Sequence, residues 1–206
     1  MESKTLEIFA DEAAARQRLE AAELGTVLKD SVLKEASFPL LAAGSLFEFA
    51  QALRHTAEPR LVVGVLAQAM QRQAAVWWAC RVARAERDGG VAEREAAAID
   101  AAETWLRGPE QWKAYAANDA AKSVGLDSPA GCAALSAFLA GESLGPSHVA
   151  PLPPGRHLTG MAVASAVELA ATRRPTGKPE SDWEEVLDLG FAIASGSEEW
   201  QTAATP

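Results

Sequence analysis

Cysteine is nearly absent from this chain. Only Cys80 and Cys132 stand among 206 residues, each in an apolar run of small side chains. That is not the dense framework of a disulfide-stapled domain, and an unpaired thiol in such a setting behaves as a small hydrophobe. Histidine is scarce as well: His55, His148 and His157 have neither metal-ligand spacing nor an obvious acidic partner, so no metal and no cofactor is expected. Basic charge is in deficit. Nineteen Lys and Arg against 28 Asp and Glu leave a net charge of −9, which disfavours a general nucleic-acid role resting on phosphate neutralisation. No apolar run approaches the roughly 20 residues that span a bilayer, so no membrane insertion is expected. The start, Met-Glu-Ser-Lys-Thr-Leu-Glu, lacks a basic segment followed by an apolar run, and a cytoplasmic location is expected. Phosphate-loop spacing is missing too. Thr176-Gly177-Lys178 has no upstream glycine at the required distance, and Gly125, Gly131 and Gly141 interrupt helices without forming a dinucleotide fingerprint. No catalytic residue is therefore assigned, although a carboxylate pair assembled only by folding leaves no trace at this level.

What is abundant is alanine, while β-branched residues and tyrosine are few, a balance that favours helix over sheet. The most telling stretch is Ala74 to Ala83, Ala-Ala-Val-Trp-Trp-Ala-Cys-Arg-Val-Ala. Nine of its ten residues are apolar. Trp77 and Trp78 point about 100° apart on a helix, too far for one narrow stripe. A helix apolar nearly all round is buried on most sides, so this segment is expected at the centre of an all-helical domain.

Caps and breakers divide the rest. A short helix is expected over Asp11–Leu24, stopped by Gly25. Ser45 and Glu48 form a capping box opening a helix to about His55. Pro59 suits a first helical turn, and Leu61 to Ala67 fits helix or buried strand; helix is chosen because no partner strand is visible. This helix either runs into the tryptophan segment or breaks around Gln71 and Arg72, and the tryptophan helix is expected to end at Asp88-Gly89-Gly90. Further helices are expected over Ala92–Arg107, Pro109–Val124 and, with Ser128 as N-cap and Pro129 at the first helical position, through Ala140. Gly141 to His157 is a proline-rich loop. Thr159–Arg173 carries Met161, Val163, Ala164, Val167 and Ala171, and Ser181–Ser195 closes the series, with Ser181 and Glu184 as a second capping box.

Charge is segregated along the chain. Gln51 to Arg87 holds Arg54, Arg60, Arg72, Arg81, Arg84 and Arg87 against Glu58 and Glu86, whereas Glu184, Glu185 and Asp188 belong to a final stretch with no basic residue after Pro179. Two readings compete: docking surfaces for a protein partner, with Arg81, Arg84, Arg87, Glu184, Glu185 and Asp188 as the binding residues, or solvated helix faces paired within the molecule. Pro151-Leu152-Pro153-Pro154-Gly155-Arg156 matches the P-x-x-P-x-R pattern of polyproline ligands, and equally a stiff connector between helices.

Ala75–Arg84, together with the Gly-Glu-Ser-Leu-Gly-Pro, Pro-Leu-Pro-Pro and Ala-Val-Ala-Ser-Ala-Val-Glu-Leu-Ala-Ala runs of Phe138–Ala171, resembles an uncharacterised bacterial family of helical proteins associated with type VI secretion gene clusters. The resemblance covers roughly residues 40–171 and carries no catalytic residue onto this chain. It implies an accessory, adaptor or immunity-type protein whose partner is a secretion-system component or toxin. The alternative is a small hydrolase or ligand-binding helical protein with a site near Arg81, Arg84 and the His148 to His157 loop. The expected architecture is a single all-α domain, residues 39–196, of about eight helices packed as antiparallel hairpins around Trp77, Trp78, Trp105 and Trp112. A partly helical arm, 1–38, precedes it and a flexible tail, 197–206, follows.

Overall fold

The computed structural model describes residues 50, 53–54, 59–85, 92–146, 148–173 and 179–198. The Asp11–Leu24 helix, the Ser45 capping box, Arg87 and the Ser181 side chain lie outside the described residues. Among those described there are seven helices and no strand: α1 (Pro59–Ala69), α2 (Arg72–Arg84), α3 (Glu93–Arg107), α4 (Gln111–Val124), α5 (Pro129–Ala140), α6 (Arg156–Arg173) and α7 (Pro179–Ser195). They form one all-α domain.

Local chemistry accounts for most boundaries. Pro59 opens α1, where its missing N–H costs nothing, and Val62, Val63, Val65 and Leu66 are buried in helix rather than strand. The chain breaks at Met70 and Gln71, whose ψ of 144° ends any continuation into α2. Glu93 and Glu95 occupy the first turn of α3, where the helix dipole favours acids. Gly125, with φ +94°, closes α4 in a conformation that side chains resist. Ser128 then caps α5 as expected, its Oγ accepting from the Gly131 N–H at 2.9 Å, with Pro129 in the first turn.

Two helices hold the centre. α5 is apolar on every side and built from small residues, including Ala130, Ala133, Ala134 and Ala137, which let four neighbours approach: α2, α3, α4 and α6. The tryptophan helix α2 touches α3, α5, α6 and α7, with Val76, Trp78, Ala79, Cys80, Val82 and Ala83 fully buried. Trp77 and Trp105 also join the core.

Trp112 does not. It is 61% exposed, because α4 turns Ala114, Ala117 and Ala121 inward and Trp112 lies about 200° from Ala114 around the axis. Met161 is likewise exposed, at 53%, while Ala162, Val163, Ala166 and Val167 carry the buried face of α6. α6 also begins three residues earlier than expected, at Arg156.

Candidate functional site

The last helix docks on the tryptophan helix. Trp78 Nε1 donates to the Val186 carbonyl at 3.1 Å, and Gly190 faces the same indole so closely that a Cβ there would fall 2.6 Å from Cζ2. Beside this contact lies a groove of about 400 Å³ lined by Arg81, Arg84, Glu185, Val186 and Leu189 among others. Three of the charged residues singled out above therefore meet at one seam.

Their charges are engaged within the molecule. Arg81 pairs with Glu198, and its guanidinium stands 5.5 Å from the centre of the Trp77 ring. Arg84 spans both Glu103 oxygens, at 2.7 and 2.9 Å, and also pairs with Asp100. The hydrogen bond it donates to Glu103, followed by that to Asp100, holds this guanidinium even more firmly protonated than usual. Asp188 pairs with Arg54, whose guanidinium lies 5.4 Å from the Phe191 ring. Glu184 is exposed on α7. Most of these groups are about a third or more exposed, Glu103 being the sheltered one at 13%, and pairs so reached by water are worth about 0–1 kcal/mol each, so the seam is neutralised more than it is cemented.

A second assembly involves residues that sequence patterning passed over. Gln111, at the start of α4, accepts at Oε1 from the N–H groups of Glu142 (2.7 Å) and Ser143 (3.1 Å) and donates through Nε2 to the Ser143 carbonyl (2.7 Å). Tyr115, one turn on, donates to the Gly145 carbonyl. Ser143, buried, accepts through Oγ from the Leu152 N–H at 3.0 Å, and Leu144 donates to the Leu152 carbonyl at 2.8 Å. The loop before α6 is thus fastened to α4 at its base and to itself across its neck. Beyond that neck His148, Val149, Ala150, Pro151, Leu152 and Pro153 are all exposed, Leu152 at 60%. Pro154 is buried, so the two prolines of the P-x-x-P pattern do not share an exposed face. The one available signal for this clamp was the isolated Gln and Tyr at i, i+4 on a helix otherwise rich in alanine.

The third feature is a cleft of about 510 Å³ at the start of α2, bordered by Arg72, Trp105, Gln111 and Glu142 among others. Gln71 supplies no side-chain cap to that helix.

The cysteines serve packing. Complete burial pushes the Cys80 thiol far above its ordinary range, with Glu103 reinforcing the effect, and burial also raises Cys132, whose thiol donates to the Leu126 carbonyl at 3.2 Å. His148 stands in the loop and His157 in the first turn of α6, and neither lines the groove at Arg81 and Arg84. Among the described residues no three His, Cys, Asp or Glu side chains converge as metal ligands, and no helix is long and apolar enough to cross a membrane.

Fold and surface together define an all-helical domain bearing a charge-paired seam, a fastened apolar loop and a polar cleft. The chain belongs to DUF6931, a family of unknown function whose model matches residues 49–194. No curated protein and no solved structure matches it.

Proposed function

We propose that this chain is a non-enzymatic interaction factor, of accessory, adaptor or immunity type, that acts in the cytoplasm by binding another protein. The observation that carries this reading is the stretch His148–Pro153: six consecutive exposed residues, five of them apolar after His148, held out on a hydrogen-bonded neck. An apolar protrusion already fixed in shape loses little conformational freedom on docking, which is what makes such a surface effective as an anchor. Arg81, Arg84, Glu184, Glu185 and Asp188, on the α2–α7 side, act in this reading through long-range attraction rather than as neighbours of the loop, and Arg87 is grouped with them by sequence alone. Such charges chiefly set association rate and salt dependence. The resemblance to a family of type VI secretion gene clusters sets the partner class to be tested, a secretion component or a toxin. One specific observation favours a second, ligand-binding reading, the half-buried cleft around Arg72.

The test compares the tagged wild-type chain with Val149→Asp/Leu152→Asp and with Arg81→Glu/Arg84→Glu in the native host, at low and moderate salt. Recovery of one stoichiometric secretion component or toxin, lost in the loop variant and, in the arginine variant, weakened at low salt with less further loss as salt rises, supports the proposal. Recovery of no stoichiometric partner, or full retention by a folded loop variant, overturns it.

A further inference from the structure

Taking a guanidinium or ammonium group partly out of water is costly unless an acceptor replaces the lost hydration. The described part of this protein contains four half-buried basic side chains: Arg54, Arg72, Arg81 and Lys113. Three follow the rule, Arg54 with Asp188, Arg81 with Glu198 and Lys113 with Glu110. Arg72 does not: among the described residues it makes no hydrogen bond and no ion pair. It borders the cleft of about 510 Å³ whose walls include Trp105 and Pro109, and Glu142 borders the same space. The Glu142 carboxylate has no ion-pair partner among the described residues either, and no salt bridge joins it to Arg72. Gln111, though it borders the cleft, spends both acceptor positions of its Oε1 on the N–H groups of Glu142 and Ser143 and has no acceptor left to offer Arg72.

We propose that this cleft is a binding site for a carboxylate-bearing ligand, the carboxylate held by Arg72, a hydrogen-bond-donating group directed toward Glu142, and the apolar body laid against Trp105. An arginine fork matches a carboxylate in a two-bond geometry that a solvating water shell reproduces poorly. The volume falls within the range of small-ligand sites, about 300–1,000 Å³. Glu142 limits the class, since it repels a ligand that is only anionic. The chemistry required, a carboxylate with an N–H nearby and an apolar body, is shared by a free amino acid and by the C-terminus of a peptide chain. The site is separate from the apolar loop and stands or falls independently of partner binding there.

The experiment is a titration of the full chain followed by the tryptophan indole N–H signals, Trp105 being assigned through Trp105→Phe. Three probes are used: phenylalanine, N-acetylphenylalanine and phenylalaninamide. A saturable shift of the Trp105 signal with at least one carboxylate probe and none with the amide is expected. Arg72→Gln is expected to weaken that binding about tenfold or more, as loss of a charge-assisted pair does, while Arg94→Gln, on the exposed start of α3, leaves it unchanged. Should Arg72→Gln fail to fold, Arg72→Lys keeps the charge at the helix start and is expected to bind several-fold more weakly. Preference for free phenylalanine, lost in Glu142→Gln, identifies an amino-acid zwitterion as the source. Equal binding of the N-acetyl form, indifferent to Glu142→Gln, identifies a chain end. No saturable shift with either carboxylate, equal affinity in a folded Arg72 variant, or equal binding of the amide overturns the proposal.

Discussion

Gly190→Ala tests how α7 is seated. In an exposed helix interior this change would stabilise by about 1 kcal/mol, because alanine restricts the unfolded chain and glycine does not. Here the added Cβ would stand 2.6 Å from Cζ2, 2.8 Å from Cε2 and 3.1 Å from Cη2 of Trp78. Ordinary contact begins at 3.4 Å, so ring and helix must part by about 0.8 Å. Neither yields easily. Trp78 is fully buried, and its Nε1 is tied to the Val186 carbonyl on α7 itself, four residues before the glycine. Swinging the ring aside breaks that bond and leaves a buried donor unsatisfied, at about 1–3 kcal/mol; lifting the helix instead opens the core at Val186 and Leu187. Because neither side yields, the cost falls in the upper part of the range for overpacking, about 2–3 kcal/mol, so the sign reverses and a net loss of about 1–2 kcal/mol is expected after the helix-propensity gain is offset. The assay is urea unfolding followed by tryptophan fluorescence and far-ultraviolet circular dichroism. With a slope of about 2 kcal/mol/M, the midpoint falls by about 0.5–1 M at unchanged slope. A midpoint equal to or above wild type would refute the reasoning, for it would mean that propensity acts unopposed and the close approach is not there.

Three further outcomes follow from the same structure. Gly131→Ala places a Cβ inside the Gly125 carbonyl oxygen and 2.9 Å from its carbon, against backbone that cannot swing away, and is expected to cost about 3 kcal/mol or more in the same unfolding assay. Gln111→Ala frees the N–H groups of Glu142 and Ser143, so hydrogen exchange at these two amides is expected to accelerate while α5 amides keep their protection. The Cys80 thiol is held protonated by burial in the folded state, so its contribution is fully present below the ordinary value of 9.0 and is lost as pH rises beyond it, by up to about 1.4 kcal/mol per pH unit. Cys80→Ala is expected to flatten the fall in unfolding free energy measured between pH 8 and about pH 10, and an unaltered slope would count against the burial argument.

The parts of this fold legible in the sequence are those decided within a few residues. Ser128-Pro129 announced the start of α5, Gly125 the end of α4, and the near-continuous apolarity of Ala74–Ala83, interrupted only by Arg81, the central place of α2. Trp112 and Met161 depart from expectation for one reason: spacing around the helix, and not side-chain size, decides which residues face inward. On α4 the buried face is written in alanine, at 114, 117 and 121, and a helix packed through alanine leaves its large residue outside because close approach is what the small side chains provide. The charged residues failed differently. Arg54 finds Asp188 across 134 positions and Arg81 finds Glu198 across 117, so no local pattern separates a paired arginine from an unpaired one. Arg72 resembles its neighbours in sequence and differs from the paired ones in that no partner approaches it among the described residues. A lack of partner is a property of the assembled chain, which is why the cleft emerges only when α2, α3 and the end of α5 are in place, and why its occupancy, rather than the count of arginines, decides what the basic segment is for.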